Sequence, residues 1–158
     1  MKSLKNIFIL GLFFSALFTQ AQTADFYYNS GMAKYDLKDF NGAISDYTKA
    51  IEIDPNFAIA YKNRGDAKYD LEDYNGAIAD YTTAIEIDPN FANGYYRRGI
   101  SKMDLGNYNY AIVDYTEAIA LDSNNSYIYT NRGITKYYLK DYRGAIADYT
   151  KAIALDPN

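Results

Sequence analysis

The chain has 158 residues, room for one ordinary domain, and a formal charge of −4 from 16 Lys and Arg against 20 Asp and Glu. That balance argues against a nucleic-acid binder, which needs clustered cations to displace counterions from phosphate. With no Cys and no His, a thiol nucleophile, a Ser-His or Cys-His pair and the usual zinc or haem ligands are excluded, and neither a cofactor nor a metal is expected; a hard-cation site of carboxylates alone remains open.

At the N-terminus, Lys2 and Lys5 precede a twelve-residue apolar run from Ile7 to Phe18, and Thr19 and Ala21 place small residues before Gln22. This three-part pattern predicts a secretory signal peptide over 1–21 and a mature chain from Gln22. The run falls short of the roughly 20 apolar residues of a membrane span; a buried core helix is the alternative. The expected product is exported, periplasmic or secreted from a bacterium. Loss of Lys2 and Lys5 takes its charge from −4 to −6, and a chain without cysteine is indifferent to oxidising conditions.

From 22 to 158 one period of 34 is written four times, over 24–57, 58–91, 92–125 and 126–158. Tyr27, Tyr61, Tyr95 and Tyr129 keep the step at position 4, Gly31, Gly65, Gly99 and Gly133 at position 8, and Ala43, Ala77, Ala111 and Ala145 at position 20. Pro55, Pro89 and Pro157 keep it at position 32, with Ser123 once in their place. Units 1 and 2 agree at 25 of 34 positions.

Each unit predicts two helices, in unit 2 from Ala58 to Leu71 and from about Asn75 to Asp88, separated by a polar turn and closed by Asp88-Pro89-Asn90. Ala77, Ile78, Tyr81, Ala84 and Ile85 form one apolar stripe. Gly65, Ala77 and Ala84 predict a close helix approach, with Tyr61, Tyr74 and Tyr81 filling the space around it. One such pair cannot bury its apolar faces alone, but stacked pairs can.

The aromatic at 4, Gly at 8, Ala at 20, aromatic at 24, Ala at 27 and Pro at 32, here Tyr61, Gly65, Ala77, Tyr81, Ala84 and Pro89 with their counterparts, resemble the tetratricopeptide repeat. The resemblance covers 24–158. It implies an all-α, right-handed superhelical solenoid of antiparallel helix pairs and a non-catalytic role in binding a protein or an extended peptide. Position 11 departs from the pattern: Lys34, Lys68, Lys102 and Lys136 stand where the family has an aromatic. On the helical wheel that lysine falls among the packing residues, where an unpartnered ammonium is costly. The expected partner is the carboxylate repeated at position 23, Asp46, Asp80, Asp114 or Asp148, or else the lysine sends its charge to solvent along the tyrosines.

First-helix positions 2, 5, 6, 9, 12 and 13 fall on one arc of about 120°. That arc is expected to face the concave groove, and the opposite side, with Tyr, Gly and Leu at 4, 8 and 14, is expected to pack. Groove positions vary between units, which is either partner choice or drift on an exposed face. Position 6 is Asn29, Asn63 and Asn131, with Arg97 once; the asparagines can bond a peptide backbone, or simply face solvent as part of a template. Eleven of the 19 tyrosines occupy packing positions 4, 17 and 24. Of the rest, Tyr28, Tyr35, Tyr69, Tyr96, Tyr127 and Tyr137 lie at groove positions 2, 5 and 12 and Tyr138 at 13; this row is the candidate contact surface, with Tyr28, Tyr35, Tyr69, Tyr96 and Tyr127 the expected contacts, joined by Lys62 and Arg97 near the middle. Tyr96→Ala and Asn63→Ala are expected to weaken partner capture with the fold unperturbed.

Some members of the family hold a partner's terminal carboxylate with Lys, Asn and Arg. Lys62, Asn63 and Arg97 are similar, but Met32 and Asp66 stand where asparagine is required. The carboxylates Asp46, Asp80, Asp114 and Asp148 recur in every unit, whereas a catalytic pair occurs once, so no enzyme is expected. The last unit sets Ile146 and Ile153 where Ile78 and Ile85 meet a following hairpin. Weak end-to-end dimerisation through them, as a self-assembling module, is the alternative to groove binding.

Overall fold

The computed structural model describes residues 23–157; the leader expected at 1–21 lies outside them. Eight helices follow in order: α1 Ala24–Asp36, α2 Phe40–Ile53, α3 Ala58–Asp70, α4 Tyr74–Ile87, α5 Ala92–Asp104, α6 Tyr108–Leu121, α7 Ser126–Tyr138 and α8 Tyr142–Leu155. Each odd-numbered helix packs on the next, and each even-numbered helix packs on the first helix of the following unit. The four hairpins thus form one all-helical solenoid.

Local chemistry sets the boundaries. Every first helix ends in the same two bonds, in unit 1 from Lys38 N–H to the Tyr35 carbonyl and from Asp39 N–H to the Lys34 carbonyl. This is the Schellman arrangement, and it requires a left-handed residue at position 15. Gly106 fills it with φ of 75°, but Lys38, Glu72 and Lys140 adopt φ of 62°, 62° and 63°. Asp39, Asp73 and Asp141 then cap the second helices by accepting from the N–H of Gly42, Gly76 and Gly144. A side chain there would collide with the aspartate. Unit 3 has Asn107 and Tyr110 instead and makes no such cap bond. A left-handed L-residue costs on the order of 1–2 kcal/mol, partly offset by the freedom glycine brings to the unfolded chain. Glu72→Gly is therefore expected to raise stability by about 0.5–1 kcal/mol, read as a higher urea midpoint at unchanged slope.

The core runs along the stripe of the second helices. Ala43, Ala77 and Ala111 are fully buried, as are Ala50, Ala84 and Ala118, and Tyr47, Tyr81 and Tyr115 are at most 1% exposed. Each of these rings lies flat against the position-8 glycine of its own unit: a Cβ on Gly65 would sit 2.7 Å from Tyr81 Cε1, and the other three units repeat that distance within their own pairs. The small residues set the helix approach that the sequence predicts.

All four lysines at position 11 pair with the aspartate of their own unit: Lys34–Asp46 at 2.5 Å, Lys68–Asp80 at 2.8 Å, Lys102–Asp114 and Lys136–Asp148 at 2.7 Å. An arginine at position 7 shares the carboxylate. Arg64 forks onto Asp80 at 2.9 and 2.6 Å, its third nitrogen donates to Thr48 of the preceding unit at 3.1 Å, and its guanidinium lies 5.4 Å from the Tyr61 ring centre. Arg98 repeats this with Asp114, Thr82 and Tyr95, and Arg132 with Asp148, Thr116 and Tyr129. Unit 1 has Ser30 at this position, which donates to Asp46 and cannot reach further.

Two expectations are corrected. Leu37, Leu71, Leu105 and Leu139 do not pack; they are 80%, 43%, 38% and 38% exposed. Each is the C-cap, where the chain has left the helix and the wheel no longer assigns a side. Tyr142, counted among the packing aromatics, is 53% exposed and meets the ring of Tyr137.

Candidate functional site

The first helices line a common concave face. A cavity of about 290 Å³ opens on it between units 1, 2 and 3, with Met32, Tyr35 and Asp36 of α1, Lys62, Asn63 and Asp66 of α3, Arg97 of α5 and the Tyr47 ring of α2 on its walls. A second cavity of about 300 Å³ continues along Asn93, Tyr96, Arg97, Asn125 and Ile128. Arg97 borders both, so the two form one groove. Apart from Tyr47, the residues of the first cavity come from positions 5, 6, 9, 12 and 13, the arc read from the wheel.

The groove side chains are tied to one another across unit boundaries. Tyr28 accepts from the Asn63 amide at 3.0 Å, and Tyr96 accepts from Asn131 at 2.8 Å. Tyr35 donates to Asp70, and Tyr69 to Asp104 at 2.6 Å. These four bonds join residues 35 apart, one unit and one residue. The middle boundary differs. There the Tyr–Asn pair is replaced by Lys62 and Arg97, with Asp66 set between them at 2.6 and 3.5 Å. Asp66 is buried, and Tyr81 also donates to it at 2.7 Å. Lys62 donates in addition to Asn63 at 3.2 Å.

The candidate residues therefore divide. Tyr28, Asn63, Tyr96 and Asn131 form inter-unit pairs, Asn63 also bonding Tyr47, and Tyr35 keeps its ring on the cavity wall while its hydroxyl, like that of Tyr69, is bonded to an aspartate. Asn29 and Tyr127 are exposed and take no side-chain bond across a unit boundary among the described residues. Arg97 keeps its side chain 39% exposed, yet its Nε is buried and makes no hydrogen bond. The expectation that Asn63→Ala and Tyr96→Ala leave the fold unperturbed is corrected by these bonds, since each truncation strands a partner across the boundary.

Burial raises the pKa of the groove phenols, and it is the largest influence on each. It lifts Tyr28 against the Asn63 bond, lifts Tyr96 against the Arg97 charge, and pushes Tyr47 up to about 12. Tyr35 and Tyr69 rise further because each donates to a carboxylate. Burial lowers Arg97, but Asp66 together with the phenols of Tyr81, Tyr35 and Tyr96 outweighs it and raises the guanidinium above its ordinary value. The groove thus presents neutral phenols, amides, one half-open guanidinium and the charged Asp36, Lys62 and Asp66, groups able to make contacts and hydrogen bonds.

Among the described residues no group of His, Cys, Asp or Glu is assembled to hold a metal, and no helix is long and apolar enough to cross a membrane.

A stack of helical hairpins with an open groove defines an α-solenoid interaction scaffold. The family models agree: the TPR repeat matches at 31–71 and 65–106, and the tetratricopeptide repeat at 92–125 and 126–158. The chain belongs to the tetratricopeptide-repeat family, whose members are generally non-catalytic protein-interaction modules. No curated protein sequence matches it significantly. Among solved structures it is similar to MamA, at TM-score 0.84 and 22% identity over 90% of this chain and 84% of that one. It is also similar to the first TPR of Spaghetti (RPAP3) bound to HSP90 peptide SRMEEVD, at 0.74 and 24% over 76% and 95%. The Arabidopsis OM64 TPR domain follows at 0.67 and 28% over 75% and 95%.

Sequence reasoning missed the arginines at position 7 and the bonds between residues 35 apart. Both leave a trace in the repeats. Tyr at 12 precedes Asp at 13 of the next unit twice, and where Met103 replaces the tyrosine, Tyr138 replaces the aspartate.

Proposed function

We propose that this chain is an exported, non-catalytic scaffold that seats an extended segment of another protein in its concave groove. The observation that carries the reading is the cavity across units 1 to 3, floored by the Lys62–Asp66–Arg97 group that occurs once in the array. A scaffold residue recurs in every unit; a group that recurs nowhere, at the open face, selects something. A solved structure of similar fold carries a bound peptide, which is in keeping with a peptide-binding use of this fold. Export rests on Lys2, Lys5, the run Ile7 to Phe18 and Ala21. The test places a photo-crosslinking residue at Met32, on the groove wall, or at Ala79, exposed on a second helix. A discrete protein adduct is expected from Met32 and not from Ala79, and is expected to fade when Arg97→Asn writes in the asparagine of the other units. Adducts from Ala79 alone would overturn the reading.

A second reading has an observation of its own. Ile146 and Ile153 are each 64% exposed on α8, whereas Ile51 and Ile85, the counterparts of Ile153, are buried and Ile44 and Ile78, the counterparts of Ile146, are half-buried. Weak self-association through this face follows, and sedimentation at high micromolar concentration checks it: Ile146→Gln with Ile153→Gln is expected to abolish any concentration-dependent rise in mass.

A further inference from the structure

The edge of the solenoid where each first helix turns into its second carries positions 12 to 18 of every unit. In units 1 to 3 this edge is acidic. Unit 2 brings Asp70, Glu72 and Asp73 with no cation, unit 1 brings Asp36 and Asp39 against Lys38, and unit 3 brings Asp104 alone. Unit 4 breaks the pattern in one direction only. Tyr138 stands in place of the aspartate at 13 and Arg143 in place of the asparagine at 18, while Lys140 and the capping Asp141 match Lys38 and Asp39 of unit 1, so that this edge alone carries a net positive charge.

The Tyr142–Tyr137 contact repeats Tyr35–Phe40 and Tyr69–Tyr74 of units 1 and 2, and the rings on Tyr138 are what this edge adds. Tyr138 stacks on Tyr108 of unit 3 at 5.2 Å and 13° between planes, Tyr137 meets Tyr138 at 6.4 Å and 71°, and Tyr142 meets Tyr137 at 5.5 Å and 61°. Rings braced on one another lose little freedom on binding. Yet Tyr137, Tyr138 and Tyr142 remain 57%, 57% and 53% exposed. Lys140 and Arg143 beside them are exposed and in no ion pair among the described residues. Braced tyrosines with free cations are the composition of a protein-binding hot spot.

We propose that this tyrosine–cation edge of unit 4, where the concave arc meets the turn and beyond the residues that line either groove cavity, is a second interaction surface, and that its occupant is a short acidic segment of another protein. Charge decides between occupants. An extended anionic surface, a bilayer or a nucleic acid, reaches units 1 to 3 as well, where Asp36, Asp70, Glu72, Asp73 and Asp104 repel it. A short segment meets unit 4 alone, because screening confines the interaction to about 8 Å at physiological salt. A second copy of the chain pairing edge to edge sets the acidic edges of units 2 and 3 against each other, whether the copies run parallel or antiparallel.

The experiment is selection of a random dodecapeptide library on the mature chain, against a variant that restores the residues of the other units, Tyr138→Asp with Arg143→Asn. Peptides enriched in Asp and Glu are expected, with retention falling about tenfold on the variant. Arg143→Glu alone, at an exposed site, is expected to act in the same direction and covers the case in which the double variant is poorly folded. Anionic vesicles and single-stranded DNA are the counter-probes. A pool without acidic enrichment would overturn the proposal. So would acidic peptides that depend on Arg97 but not on Tyr138 and Arg143, which belong to the groove, or capture of vesicles or DNA through these same residues.

Discussion

Asp114→Asn is expected to lower the unfolding free energy by about 3 kcal/mol or more, the range for removing one partner of a buried ion pair. Asp114 is 2% exposed and holds two cations, Arg98 through a forked pair and Lys102 at 2.7 Å. Their side chains are only 16% and 20% exposed, so neither regains full hydration when the carboxylate is lost. An amide also places two N–H donors against donors. The matched substitution in unit 1, Asp46→Asn, is expected to cost clearly less, because Ser30 replaces the arginine and Lys34 is 38% exposed. Urea denaturation of the two variants side by side checks both the size and the order. The same chemistry sets the acid limit. Burial raises the Asp46 and Asp148 carboxyls, but Lys34 and Ser30, and Arg132 and Lys136, overcome it and hold both below the ordinary 3.8. A carboxyl titrating lower in the folded chain than in the unfolded one contributes stability that is full above the unfolded value. That stability is lost as pH falls through the folded value. The array is therefore expected to keep its stability to about pH 4 and to lose it below.

Gly65→Ala is expected to destabilise by about 1–3 kcal/mol, against the gain of roughly 1 kcal/mol that alanine brings to an ordinary helix interior. The added Cβ meets Tyr81 Cε1 at 2.7 Å and Cδ1 at 3.0 Å. That ring is fully buried, and its hydroxyl is fixed on Asp66, so it has nowhere to turn. Because Asp66 lies in the groove, the displacement is also expected to weaken partner capture. Gly106→Ala is the contrast, since its Cβ meets nothing within 4 Å; its loss comes only from the left-handed φ of 75°. Thermal melts with circular dichroism separate the two, and equal melting points would show that the glycine–ring contact does not limit packing.

What the sequence made legible is what repeats. Gly65 beside Tyr81, Lys68 on Asp80 and the helix ends near Asp70 and Ile87 all follow from spacing, since any contact within a unit is written four times. The contacts between units were harder to see because their partners sit 35 apart and change together. Tyr28–Asn63 and Tyr96–Asn131 are the same bond, and Lys62–Asp66–Arg97 is its substitute. Read one helix at a time, those residues form a variable face, and only the stacking shows that their polar tips meet. Leu71 marks another limit. A wheel assumes that the helix continues, and Leu71 lies one residue beyond the end.

The arginines that cross each boundary have a consequence for how the array comes apart. Arg64 is rooted in unit 2 but bonded to Thr48 of unit 1, and Arg98 and Arg132 reach back in the same way. Part of the free energy of each hairpin thus belongs to the junction with its neighbour. In a one-dimensional chain of coupled elements, strong junctions suppress states in which some elements are ordered and others are not. Denaturation of the stack is then expected to approach a single all-or-none event. The groove, which draws on all four units, is then expected to be present whole or absent whole.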